Sequence, residues 1–416
     1  MEARNGAAVC VEAACVPSQC LEAFDAAWAE FAAVSGFGVW DANLEAASEK
    51  CAALSGRYFE VTVRVYEAPR EGGHQGSAML HFGFCAPGIC QGDAAATVAL
   101  RLAAGKGVVL EQMPPGTQVS IQNVRPFAQW EDVKLDFLIA GFARSGTHSV
   151  QGNLALHPQC HVSKQELTFN WGFLPMRSQL REYERFFEAA PAEDAAASAA
   201  APGTVAGTGA ALGARLRGGK GEGVALSPRL LRLIRKVPNL KLIVVVREPV
   251  EWIESLYNLR ALGCRRDGHC GENLPSLDDI ILNNATLEDV RVEYAELARS
   301  IEDAINFFPP SGGRLLVLEF ELLKARPREF FDRICDFLGI SRFPANFSFD
   351  AYATDDRKAY TSDGTKADLC RSPTALAALR SRLAARGEHR RLAELLAIAG
   401  APWVSSRLLL GRDHCP

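Results

Sequence analysis

The stretch DFLIAGFARSGTHSVQGNLALHP, residues 136–158, reads as a buried strand, a glycine turn and a helix in direct succession. Phe137 to Ala140 form an apolar run of strand length, Gly141 and Gly146 bracket the turn, and Thr147, His148 and Ser149 open an amphipathic segment ending near His157 and Pro158. A helix N-terminus leaves backbone N–H groups unpaired and carries partial positive charge, so this turn is a candidate seat for an oxyanion such as phosphate or sulfate. Arg144 adds a planar, permanently charged fork, and the hydroxyls of Ser145, Thr147 and Ser149 are further donors. The same string also fits an ordinary strand-to-helix turn, so the rest of the chain has to decide between the two.

One nucleotide-binding class is disfavoured at once. A triphosphate loop needs G-x-x-x-x-G-K-[ST], and here Thr147 follows Gly146, with no lysine and no magnesium-holding pair in register. The second informative stretch is KLIVVVREPVEWIESLYN, residues 241–258. Lys241 to Val246 is a β-branched run suited to a parallel strand buried on both faces. Arg247 ends it, Pro249 suits the first turn of a helix, and Ser255 lies two helical turns on, so Arg247 and Ser255 can converge on one anion.

The string GFARSGTHS resembles the 5′-phosphosulfate loop of sulfotransferases that use 3′-phosphoadenosine 5′-phosphosulfate, with Arg144, Ser145, Gly146 and Thr147 on the family pattern. Residues 247–255 resemble that family's 3′-phosphate motif, an R-[DE]-P followed by a serine eight residues after the arginine. A third stretch, RLLVLEFELLKARPREFFDRICDFLGI at 314–340, resembles the family's late strand, acidic turn and helix, with Phe320 in place of the usual tyrosine and Glu321 and Leu323 as expected; it is read as scaffold. The resemblance covers roughly residues 133–416 and implies an α/β, P-loop-like three-layer domain around a central parallel sheet. It also implies a co-substrate, 3′-phosphoadenosine 5′-phosphosulfate, bound by Arg144, Ser145, Gly146, Thr147, His148, Ser149, Arg247 and Ser255, with Lys366, Arg357 and Lys358 as candidates in a basic loop and no metal.

After the first helix, Cys160 to Ser163 is expected to form a short strand beside Phe137 to Ala140, followed by a loop, KQELTFNW, opening next to the cradle. Glycan-acting members of the family have K-E-x-x-F-F there with the glutamate as base, so Glu166 takes that role by resemblance and Lys164 is the nearby cation. A hydroxyl is a weak nucleophile at neutral pH, and a carboxylate in reach of its proton is typically worth about 10²–10⁴ in rate. His148 is the alternative base, although its position matches no catalytic histidine of the family. The resemblance implies a hydroxyl-bearing acceptor, a glycan by the Glu166 match. The family's G-E-K-[ST]-P lysine has no clear counterpart, because GEGVALSP carries Gly223 where it would stand and leaves Lys220 as the substitute.

Composition sets the remaining bounds. At 416 residues the chain has room for two or three domains. Its 45 basic and 49 acidic residues, net −4, argue against generic nucleic-acid binding while allowing a local basic groove. No window of about twenty apolar residues would span a membrane, and the first twenty residues lack a signal-peptide core. Six of the 12 cysteines, Cys10, Cys15, Cys20, Cys51, Cys85 and Cys90, fall in the first ninety residues, a density that favours a disulfide framework, with free thiols or a metal site as alternatives. Cys264 and Cys270 could close a further small loop.

Residues 20 to about 106 resemble the extracellular cysteine-rich module of nose-resistant-to-fluoxetine type acyltransferases: Cys85, Pro87 and Cys90 match its C-x-P-x-x-C turn, and Phe59 replaces its strand cysteine. Residues 1–125 are accordingly expected to be a small α+β module, and the resemblance implies a lumenal or extracellular context, the Golgi lumen or the secretory pathway. Residues 107–132 read as extended connector. Residues 188–223, Ala/Gly-rich and almost free of large apolar groups, read as a disordered insert. Leu226–Lys236 and Leu287–Phe308 read as helices, and Asn284 and Asn346 head glycosylation sequons, meaningful if the chain is secreted.

Overall fold

The structure, a computed structural model, describes residues 9–11, 14–16, 20, 22–23, 25, 41–66, 77–87, 90, 118–126, 133–168, 215–222, 226, 228–267, 274–287, 290–350, 366–401, 404–405 and 408. The chain divides into two compact units, Met1–Asp132 with Asn170–Arg181, and Val133–Phe169 with Glu182–Pro416.

In the first unit, β1 (Val9–Val11) and β2 (Ala14–Val16) form an antiparallel ladder with Cys10 opposite Cys15. Helix α1 (Asp41–Ala53) leads into β3 (Gly56–Tyr66), which pairs antiparallel with β4 (Ser77–Pro87) on one side and β5 (Gln118–Pro126) on the other. The connector expected over 107–132 is therefore corrected at 118–126, where QVSIQNVRP makes a ladder with β3. Disulfides join Cys20 to Cys90 and Cys51 to Cys85, as the cysteine density led us to expect for these four. The second ties the end of α1 to β4 across 34 residues, a loop whose closure is worth about 3–4 kcal/mol in the chain-entropy account. Phe59, where the resembled module has a cysteine, stacks on Phe84 at 5.3 Å between ring centroids.

The second unit is built on a parallel sheet in the order β10-β9-β6-β8-β7: β6 (Phe137–Gly141), β7 (Cys160–Thr168), β8 (Leu216–Glu222), β9 (Lys241–Val246) and β10 (Leu315–Glu319). All four pairings are parallel. The apolar runs FLIAG and VVV are buried on both faces, which is why they lack alternation. Helices α2 (Thr147–Ala155), α3 (Pro228–Ile234), α4 (Pro249–Asp267), α5 (Leu277–Leu282), α6 (Leu297–Phe307), α7 (Phe320–Ala325), α8 (Pro327–Leu338), α9 (Pro373–Ala385) and α10 (Glu388–Ile398) complete the described unit. One core gathers Phe137 and Ile139 of β6, Leu154 of α2, Ile243 and Val245 of β9, and Phe330, Phe331 and Ile334 of α8. Phe343, Phe347 and Phe349 extend it, Phe349 stacking on Phe331 at 4.5 Å.

Several sequence expectations change here. The reading of 188–223 as disordered fails at 216–222, which is the inner strand β8; residues 188–214 lie outside the described residues. Glycine usually weakens strands, but at Gly218 a side chain would run into the Phe137 ring, so the glycine is what lets two strands lie beside a large aromatic group. As a result Cys160–Ser163 does not pair with β6, since β8 lies between them. The expected loop at 164–168 is instead the continuation of β7, with a register irregularity between Val162 and Glu166. The long helix expected over 287–308 is broken: Leu287 bridges Val290, a 3₁₀ turn spans Val292–Ala295, and α6 starts at Leu297. The Glu388 carboxylate from α10 accepts the Ala298 N–H at 2.7 Å and so satisfies the new helix end.

Candidate anion-binding site

The strand order reverses around β6, whose neighbours β8 and β9 come from later in the chain, and the loops after β6, β8 and β9 share the C-terminal edge of the sheet. The first loop holds Gly141 at φ 143°, where a side chain would press on the Val245 backbone, Arg144 at φ 67° and Gly146 at φ 85°. For arginine the left-handed conformation costs about 1–2 kcal/mol and needs support. Arg247 supplies it by donating from Nη1 to the Arg144 carbonyl at 3.2 Å, and Trp252 by donating from Nε1 to the Ala143 carbonyl at 2.7 Å. Arg144 in turn donates from Nε to Ser255 Oγ at 3.3 Å.

Helix α2 then starts with Gly146 as N-cap, no side-chain cap and no acidic residue in its first turn. Its N-terminal charge is met by no carboxylate of that turn. Ser145 is 0 % exposed, and its hydroxyl has no hydrogen-bond partner among the described residues. A buried orphan hydroxyl costs roughly 1–3 kcal/mol, so its place in this turn fits a ligand oxygen as the missing partner. Thr147 and Ser149 are buried beside it.

The second loop brings Arg247 and Ser255 to the same place, as their spacing suggested. Glu248 is buried; its Oε2 accepts the Glu251 N–H at 2.7 Å, closing the start of α4, and its Oε1 lies 3.1 Å from Nε2 of His389 on α10. Arg247 donates from Nη2 to Glu251 Oε2 at 3.1 Å, and Lys324 of α7 lies 3.6 Å from the same oxygen. The Phe320 ring is flanked by Arg247 at 5.0 Å and Lys324 at 4.9 Å. A side chain at residue 146 would meet that ring at 2.6 Å. The third stretch is therefore wall as well as scaffold, because Phe320 closes one side of the cradle.

Lys220 on β8 is 5 % exposed, and its Nζ lies 3.1 Å from His148 Nδ1 on the first turn of α2. The backbone register sets Lys220 opposite Glu166. Lys164 and Glu166 lie on β7, and their side chains lie outside the described ones, as do residues Arg357 and Lys358. Lys366 is exposed and directly precedes Ala367.

Two asparagines were missed by sequence reasoning. Asn153 of α2 donates to the Asp350 carbonyl at 2.9 Å and accepts the Asp350 N–H at 3.0 Å. Asn258 of α4 treats Ala367 in the same way, at 2.9 and 2.8 Å. Each also donates to the carbonyl four residues back in its own helix, Ser149 or Glu254. The signal available was a polar amide inside an apolar helix face; Trp252 gave less, since a buried tryptophan reads first as core.

The profile of the sulfotransferase family matches residues 136–344, half of the chain. No curated protein matches it. Among solved structures the chain is similar to a sulfotransferase from Alicyclobacillus acidocaldarius, at 16 % identity over 67 % of this chain and 98 % of that one, with a TM-score of 0.43. It is also similar to mouse sulfotransferase SULT7A1 complexed with PAP, at 15 % identity over 57 % and 69 % of the two chains and a TM-score of 0.32. A third is the sulfotransferase domain from the Curacin biosynthetic pathway, at 17 % identity over 53 % and 81 %, with a TM-score of 0.30. The profile begins at β6 and runs past α8, so both candidate loops and Phe320 fall on family sequence, and the chain belongs to the sulfotransferase family.

Proposed function

We propose that the chain transfers a sulfuryl group from 3′-phosphoadenosine 5′-phosphosulfate to a hydroxyl, on a carbohydrate acceptor. The observation that carries the reading is the open N-terminus of α2, with a buried, unpartnered Ser145 hydroxyl, joined by direct hydrogen bonds to Arg247 and Ser255. Arg144, Ser145, Gly146, Thr147, His148 and Ser149 would hold the 5′ end of the donor; Arg247 and Ser255 would hold its 3′-phosphate, with Lys366 on the Asn258 side. The donor supplies an activated sulfur–oxygen bond, which breaks towards its phosphate as a new bond to the acceptor oxygen forms.

The chain's own groups do the rest. Glu166 takes the acceptor proton, and Lys164 steers an acidic acceptor. Arg144 and Lys220 face the charge that develops on the sulfuryl and bridging oxygens; losing one such donor typically costs about 10²–10³ in turnover. Lys220 stands in for the lysine that the sequence otherwise lacks, which supports retained activity. The glycan assignment rests on the Lys164–Glu166 resemblance, and the disulfides of the first unit fit an oxidising compartment.

Isothermal titration with 3′-phosphoadenosine 5′-phosphate beside ATP tests the donor. Micromolar binding of the former, weakened at least 100-fold in Arg247→Ala, is the expected result. Preference for ATP would favour a kinase instead. Binding without turnover on any hydroxyl acceptor would leave a nucleotide-binding protein.

A further inference from the structure

The two anion loops are joined by three side-chain bonds, and one of the donors, Trp252, stands at a position that neither motif specifies. Trp252 is 0 % exposed and the largest fully buried side chain among the described residues. Its indole N–H reaches the Ala143 carbonyl at 2.7 Å, and its ring stands edge-on to Phe142 at 5.8 Å. Its own backbone N–H donates to the Glu248 carbonyl at 2.8 Å, so the ring projects from the first capped turn of α4, between Arg247 and Ser255 in the chain.

A trans peptide is one rigid plate with its C=O and N–H on opposite edges. Turning the Ala143 carbonyl onto Trp252 therefore points the Arg144 N–H away from α4. Turning the Arg144 carbonyl onto Arg247 likewise aims the Ser145 N–H, which closes the turn on the Phe142 carbonyl at 3.1 Å. The left-handed Arg144 is thus set by two donors from the element that carries the other anion site.

We propose that Trp252 is a positioning residue that couples the two anion seats, so that an anion held by Arg247 and Ser255 prepares the loop at 143–147 for a second anion. This rests on the donor reading above. Whatever fixes the start of α4 fixes the Trp252 ring, and through it the Ala143–Arg144 peptide. Coupling between sites is reciprocal and typically amounts to about 5–150-fold in affinity. The donor's 3′-phosphate then selects the donor twice, by direct contact and by shaping the seat of the 5′ group.

The test replaces Trp252 with β-(3-benzothienyl)alanine, which keeps the ring shape and removes the N–H; Trp252→Phe is the second variant. Titrations use adenosine 3′-phosphate, adenosine 5′-phosphate and adenosine 3′,5′-bisphosphate, alongside thermal unfolding. The expected result is a Kd for each monophosphate unchanged within about 2-fold, with the bisphosphate alone weakened about 10-fold. A purely structural role would lower the unfolding temperature and shift all three ligands together, or none, and either pattern overturns the proposal. Failure of the wild type to bind the bisphosphate overturns the donor reading as well, whereas wild-type binding with an unchanged ratio overturns the coupling alone.

Discussion

Helices α2 and α4 start alike, each following a buried parallel strand and a short turn, and they finish their N-termini in opposite ways. Helix α4 is closed by its own chain, with the Glu248 carboxylate on the Glu251 N–H and Pro249 needing no partner. Helix α2 has no side-chain cap and no acid in its first turn, and keeps a buried serine hydroxyl unpartnered. In the proposed reading, the closed end hands anion recognition to a side chain, Arg247, and the open end keeps it on the backbone. Where a protein leaves a helix end unfinished at the edge of a sheet, an external oxyanion is the simplest partner that completes it.

The strongest way to break this contrast is to fill the open end. Gly146→Ala would bring a methyl group to 2.6 Å from the Phe320 ring at a positive φ, so we expect donor-nucleotide affinity to fall more than about 100-fold and stability by about 1–3 kcal/mol, read by titration and denaturant unfolding. Next, Lys220→Met keeps the bulk and removes the charge beside His148. Turnover should fall about 10²-fold with bisphosphate affinity changed only several-fold, and equal losses in both would place Lys220 in ground-state binding instead.

Two smaller substitutions should separate the ends by sign. Glu248→Ala removes the cap of α4 and should cost about 1–2 kcal/mol in stability. Ser145→Ala removes an orphan hydroxyl, so stability should hold or rise while nucleotide affinity falls about 5-fold. If Ser145→Ala instead destabilises the free protein, the hydroxyl has an internal partner and the open-end account loses its main support.

The smallest effect lies behind α2, at His157. Burial pushes its imidazole below 6.5; Nε2 lies 2.9 Å from the Ser341 carbonyl and Nδ1 accepts the Gln159 N–H at 3.2 Å, a pattern that requires the neutral ring. The unfolded chain binds the extra proton first, so this contribution to stability is complete above pH 6.5 and shrinks as pH falls through the lowered folded value. Denaturant midpoints measured between pH 7.5 and 5.5 should therefore slope less in His157→Gln than in the wild type.

The strands that position the site were legible where burial on both faces left unbroken apolar runs, as in Phe137–Ala140, Lys241–Val246 and the start of β10. Strand β8 was not, because Gly218, Gly219 and Lys220 are the composition of a loop, and only the Phe137 ring and the cradle explain them. Arg247 and Ser255 could be paired from spacing, since both lie on one helix start. The bonds that bind that start to the first loop cross 103 to 111 residues of sequence, and nothing local announces such contacts. The break before α6 was hidden for the same reason, its partner Glu388 lying 90 residues away.

Asn153 and Asn258 have a consequence for how such an enzyme can diversify. Each ends the chain's path at a two-bond amide clamp, at Asp350 on one helix and Ala367 on the other. The stretch between them, which carries the candidate donor contacts Arg357, Lys358 and Lys366, therefore leaves and rejoins the described chain at held positions, Asp350 and Ala367. In the proposed reading, a lineage that recharges that stretch alters the charges near the donor's 3′ end, while the bonds among Arg144, Arg247, Trp252 and Ser255 are left in place.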